Sequence, residues 1–115
     1  MSLDTHSLTP PAAERPVRLT AREARRCLEH ERDSRLAQLR AIGAAGHGQE
    51  AQEQVVVAAQ RDTVERVLKE IDAALDRVGD GSYGNCPGCS GPIPVERLEI
   101  LPYTRFCVPC QRRTD

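Results

Sequence analysis

The chain has no tryptophan, one phenylalanine, two tyrosines and one methionine in 115 residues. Aromatic side chains supply much of the area that globular cores bury, so a compact core of ordinary size is excluded, and the chain must be elongated or stapled. No apolar run approaches the ~20 residues that a membrane-spanning helix needs. Residues 1–19 carry Pro10, Pro11 and Pro16 where a secretory signal would be apolar. The expected compartment is therefore the reducing cytoplasm. Basic excess is missing as well: the formal net charge is −1. A sequence-independent grip on nucleic acid needs a basic footprint, so direct DNA binding is not expected, and a monomer acting on a protein partner is. Neither an HExxH helix nor a Ser/His/Asp set is present, and an enzyme is not expected.

What the chain does have is cysteine in a pattern. Cys86-Pro87-Gly88-Cys89 and Cys107-Val108-Pro109-Cys110 are pairs of equal length separated by Ser90 to Phe106, with Cys27 the one cysteine outside them. A tetrahedral zinc ion takes four thiolates at ~2.3 Å, and two such turns supply them, so Cys86, Cys89, Cys107 and Cys110 are the candidate ligands of one structural zinc. Disulfides are the competing chemistry, but a reducing compartment disfavours them. A thioredoxin-like pair needs a βαβ context, whereas a helical segment precedes Cys86. Peroxide-driven zinc release stays open as a redox alternative. Four cysteine ligands leave no open position for a catalytic water. With the ion bound, the net charge falls to about −3. Cys27 reads as a small apolar helix residue.

Charged residues make up 29% of the chain, and Ala, Leu, Val, Glu and Arg dominate up to residue 78, the composition of long exposed helices. Residues 1–19 are rich in Ser, Thr, Pro and Ala, without period, and read as a flexible tail. Thr20 and Glu23 form a capping box that starts a first helix, with Ala24, Leu28, Leu36, Leu39 and Ile42 at helical spacing and Arg32 and Arg35 interrupting the stripe. Three glycines in Gly43 to Gly48 are expected to end it and reverse the chain. A second helix carries Val57, Val64, Ile71 and Val78 at heptad intervals, flanked by Val67, Leu68, Ala74 and Leu75. A short connection makes the two helices antiparallel neighbours. Charge agrees: residues 14–40 hold eight Arg against five acids, and residues 50–80 hold four basic against eight acidic residues. Asp62–Arg66 and Glu65–Lys69 are expected to pair within the second helix. Gly79 and Gly81 should end that helix. Pro94 to Leu101 reads as a short helix, its Val95, Leu98 and Leu101 roofing the metal site. Arg97 and Arg105 are candidate partner contacts, competing with neutralisation of the thiolate cluster.

The fold class expected is mainly α: an antiparallel two-helix coiled-coil hairpin over 20–79 with its tip at 43–48, and a four-cysteine zinc-finger head over 80–115. The segment from Ala74 to Gln111, with its Gly-Ser-Tyr-Gly turn, both cysteine pairs, Ile93-Pro94-Val95-Glu96-Arg97-Leu98-Glu99 and the proline before the second pair, resembles the DksA/TraR family of zinc-finger transcription regulators. The resemblance implies an RNA polymerase partner, with the head at the rim of the secondary channel and the hairpin tip toward the active centre. It also implies tip aspartates. The matching stretch here, Gly43 to Gly48, has no acid, so Gly43, Gly46, His47 and Glu50 are the candidate tip contacts. The family's guanosine tetraphosphate contacts fall on Glu70, Leu101 and Gln111, none of them cationic, which predicts a weak or absent nucleotide site. A zinc-ribbon adaptor that binds another protein through the hairpin is the alternative.

Overall fold

The computed structural model describes residues 18–45 and 51–114. The described segments form four helices, α1 (Ala21–Ala45), α2 (Ala51–Asp80), α3 (Val95–Ile100) and α4 (Val108–Thr114). Among the described residues there is no strand beyond one isolated bridge, Asn85 to Pro92, and no helix is long and apolar enough to cross a membrane.

The start of α1 follows from its capping box. The Glu23 amide donates to Thr20 Oγ1 at 3.1 Å and the Thr20 amide to Glu23 Oε1 at 2.9 Å, satisfying two backbone donors that a helix start leaves open. Leu19, assigned from composition to the tail, packs against both apolar clusters of the protein. It is the apolar residue before a cap that staples the chain onto the first turn. Residues 1–17 of the expected tail lie outside the described residues.

The hairpin core is fully buried Ala24, Leu28, Ile71 and Ala74, with Val78 nearly so. Val64 is buried higher on α2. Toward the far end the seam thins: Leu36, Leu39, Ile42 and Val57 are half-buried, and Val55 and Val56 are exposed. The arginines that break the stripe of α1 turn outward into ion pairs, Arg32 with Asp72 across the hairpin at 2.9 Å and Arg35 with Glu31 at 3.2 Å. Asp62–Arg66 and Glu65–Lys69 are not among the ion pairs of the described residues.

One boundary differs from expectation. Gly43 is helical and α1 continues through Ala45, because a single glycine costs a helix only about 1 kcal/mol and two alanines follow it. An added Cβ at Gly43 would meet nothing nearer than Arg61 Nη2 at 3.9 Å, so Gly43 faces α2 as part of the rod. Gly46, His47 and Glu50 lie outside the described residues. At its other end α2 runs past Gly79 and stops at Gly81, whose φ of +85° only glycine adopts without strain. There the amides of Ser82 and Tyr83 both return to the Arg77 carbonyl, at 3.0 and 3.1 Å, the closing bonds of a left-handed helix stop.

Candidate metal centre

The first cysteine pair sits on a turn built by backbone hydrogen bonds. The Cys86 amide donates to the Gly91 carbonyl at 2.8 Å, Ser90 to Cys86 at 2.7 Å, and Ile93 to Gly84 at 2.8 Å. Ser90 holds φ of +62° to close it. The second pair is not a matching loop. Cys107 precedes α4 and Cys110 lies within it, with the Gln111 amide bonded to the Cys107 carbonyl at 2.9 Å. Helical geometry brings residues three apart onto one face, so α4 aims both sulfurs one way. The sequence carried a signal for it in Pro109, since proline suits a first helical turn.

Together these elements bring the four sulfurs within 4.8 Å of one another. Cys89 Sγ and Cys107 Sγ are 3.8 Å apart, and the edge of a tetrahedron with ~2.3 Å arms is about 3.8 Å. The donor set therefore fits zinc in both spacing and chemistry. Cys86 and Cys110 are buried among Ile93 and Leu98, whereas Cys89 is exposed. Burial pushes the Cys86 thiol up, but the backbone N–H groups of Cys107, Cys89 and Gly88 outweigh it and hold the thiol at about 6. Cys110 is pushed up to about 12, first by Cys107, then by burial and by Cys86 and Cys89. Four thiolates this close repel, and a dication is what allows all four to ionise together. Zinc is accordingly a structural cofactor of this head.

Side chains brace the site. Arg113 Nη2 donates to Cys110 Sγ at 3.3 Å, and Arg97 Nε donates to the Phe106 carbonyl at 3.0 Å, fixing the backbone just before Cys107. Arg97, read from sequence as a partner contact, thus holds the second knuckle. Arg105 is exposed, its guanidinium 5.4 Å from the centroid of the Phe106 ring. The expected roof holds for Leu98, which is buried with Cys86 and Cys110, while Val95 is buried without joining that cluster. Leu101 is half-buried and lines a cleft between α2 and the head instead. The contacts of Arg18 and Leu19 escaped sequence reasoning because nothing in local spacing announces them, whereas Arg113 is among the arginines expected to neutralise the thiolate cluster. Arg18 Nη1 donates to Asn85 Oδ1 at 2.5 Å, across 67 residues of chain.

Fold and site define a class: a small protein whose four-cysteine structural zinc finger is packed on the base of a helical hairpin. The family model for the prokaryotic dksA/traR C4-type zinc finger matches residues 81–115. The chain is similar to the RNA polymerase-binding transcription factor DksA of Caulobacter vibrioides, 43% identical over 55 residues, 48% of this chain and 39% of that protein. It is also similar to general stress protein 16O of Bacillus subtilis, 34% identical over 67 residues, 58% of this chain and 41% of that protein. The match thus spans well under half the length of these relatives. Among solved structures, transcription factor DksA2 of Pseudomonas aeruginosa shares the fold, with a TM-score of 0.76, 22% identity, and coverage of 90% of this chain and 89% of that one. Over residues 81–115 the chain matches the dksA/traR C4-type zinc finger, and its fold is DksA-like.

Proposed function

We propose that this chain regulates transcription by binding RNA polymerase at its secondary channel, with the zinc head at the rim, the tip of the hairpin directed toward the active centre, and no coupling to guanosine tetraphosphate. The observation that carries the reading is the way rod and head are joined. Leu19 and Tyr83 pack into both the hairpin cluster and the cluster around Cys86 and Cys110, so a family zinc finger is packed onto an arm about 45 Å long, taking the 30 residues of α2 at the helical rise. A narrow arm set at a fixed angle to a wider head can enter a channel to a defined depth. The role is one of binding, without a reaction of its own.

The uncoupled part of the proposal rests on the cleft between α2 and the head, of about 640 Å³. Glu70, Leu101 and Gln111 all line it, and none supplies a charge-assisted donor to a phosphate. The same cleft is also lined by Arg66, Lys69, Arg77, Arg97 and Arg105, of which Arg97 is bonded to the Phe106 carbonyl, so the proposal rests on the three matching positions and not on the charge of the cleft. Pull-down against core polymerase tests the partner: retention is expected, and its failure would leave the adaptor reading. Crosslinking from position 47 should label subunits at the active centre, and labelling confined to the polymerase exterior would refute the channel mode. Calorimetric titration of the complex with guanosine tetraphosphate should reveal no tight site that depends on this chain.

A further inference from the structure

Where the last turn of α2 meets the head, Arg77 and Arg105 stand together. They line the α2–head cleft on one side and, on the other, a separate notch of about 580 Å³ walled also by Ser82, Asn85, Cys86 and Ser90. Among the described residues, no carboxylate lines this notch. Arg77 Nη2 is buried and has no hydrogen-bond partner, so neither a backbone carbonyl nor the Cys86 sulfur takes its protons. Burial first, and then the charge of Arg105, hold the Arg77 guanidinium below its ordinary range, with Tyr83 and Asp80 offsetting only part of this. A third cation, Arg18, is held at the rim by its bond to Asn85.

Buried polar nitrogens in native proteins are paired with great regularity, and one that is not points to a group from outside the chain. Besides the Cys86 sulfur of the metal site, the notch is lined by two guanidinium groups, those of Arg77 and Arg105. Their planar forks match a tetrahedral oxyanion, which accepts from both at once. We propose that the notch binds a phosphate-type oxyanion that bridges Arg77 of the hairpin and Arg105 of the head, with the Ser90 hydroxyl as a further donor. Such an ion would join the two parts of the molecule at the seam that sets their angle. The Ser82 hydroxyl is engaged with Asp80 Oδ1 at 2.6 Å and takes no part.

The test is an amide chemical-shift titration of the zinc-loaded full chain with inorganic phosphate, against sodium chloride at matched ionic strength. Saturable shifts at Ser90 and Arg105 are expected, with a dissociation constant of roughly millimolar. Arg105→Gln, at an exposed position, should fold with its zinc and weaken binding about tenfold or more. Lys69→Gln, which lines only the other cleft, should bind as the parent does. Saturation by adenosine monophosphate as well would identify a phosphomonoester as the source, and response to inorganic phosphate alone would identify the free ion; either supports the site. Shifts no larger than those with chloride, or binding lost in Lys69→Gln and kept in Arg105→Gln, would overturn it.

Discussion

Individual atoms decide how tolerant the metal site is. A Cβ added at Gly88 would lie 2.9 Å from Cys110 Sγ and 3.1 Å from Cys110 Cβ, and a sulfur held by zinc has nowhere to retreat. Gly88→Ala should therefore weaken zinc retention at least tenfold in competition with a chromogenic chelator, while Gly79→Ala, where an added Cβ meets nothing within 4 Å, should leave it unchanged. Tyr83 makes a second residue-level case. Its hydroxyl donates to the Pro102 carbonyl at 2.8 Å, and burial, followed by Cys27, raises its pKa to about 12, with Arg77 opposing. A phenol whose folded pKa exceeds the unfolded value near 10 contributes stability that is complete below pH 10 and lost as pH rises toward 12. Urea melts between those values should show this loss in the parent and less of it in Tyr83→Phe, which itself should cost about 1 kcal/mol at neutral pH through the lost hydrogen bond. The four ligands were legible in the sequence because their chemistry is local: two Cys-X-X-Cys turns leave few alternatives. The braces around them were not, since Arg97 reaching Phe106 and Arg18 reaching Asn85 depend on tertiary approach that no spacing encodes.

At the level of elements, the hairpin is a rod of graded strength. Its base is a dry seam in which Leu28 and Ile71 are fully buried, and truncating either to alanine should cost about 2–5 kcal/mol, read from denaturant melts. Near the far end, Val55 and Val56 are 69% and 55% exposed, and the same truncation there should cost less than about 0.5 kcal/mol. Amide exchange should follow the gradient, slow from Val64 to Val78 and fast from Ala51 to Gln60, because local opening tracks the apolar contacts that hold each turn. Uniform protection along α2 would contradict it. The start of α1 responds to pH. The Glu23 carboxyl is held below its ordinary range, first by its bond to the Thr20 backbone and then by the Thr20 side chain. A depressed folded pKa means that the contribution is present above pH 4.5 and disappears as acid titrates the carboxylate below that value. Glu23→Gln should flatten that part of the stability profile, and Thr20→Ala should cost about 1 kcal/mol at neutral pH. Periodicity and the capping box made both long helices readable in advance. The end of α1 was not, because Gly43 was weighed as a stop signal, whereas helix termination also needs a partner for the last carbonyls, and the following Ala44 and Ala45 favour continuation.

For the whole molecule, the question is whether the metal holds up the head alone or the hairpin too. The hairpin cluster of Ala24, Leu28, Ile71, Ala74 and Val78 contains no head residue, while the head cluster counts two zinc ligands, Cys86 and Cys110, among its four buried members. Without the ion, that second cluster reduces to Ile93 and Leu98 around thiols that repel when ionised, too little apolar area to offset the entropy of ordering the head. Chelation should consequently unfold α3 and α4, which hold 6 and 7 residues, and spare most of α1 and α2, which hold 25 and 30. Far-ultraviolet ellipticity should then fall by less than a quarter, while the tertiary signal of Tyr83 and Tyr103, which pack against the hairpin cluster from the head side, is lost. Because Leu19 and Tyr83 belong to both clusters, the midpoint of hairpin melting should also drop on chelation, and Cys107→Ser should reproduce both changes without chelator. Retention of α3 and α4 in metal-free protein would mean that the head folds on its apolar contacts alone. Complete loss of helix would mean that the hairpin has no stability apart from the head, and that the metal supports the entire arm.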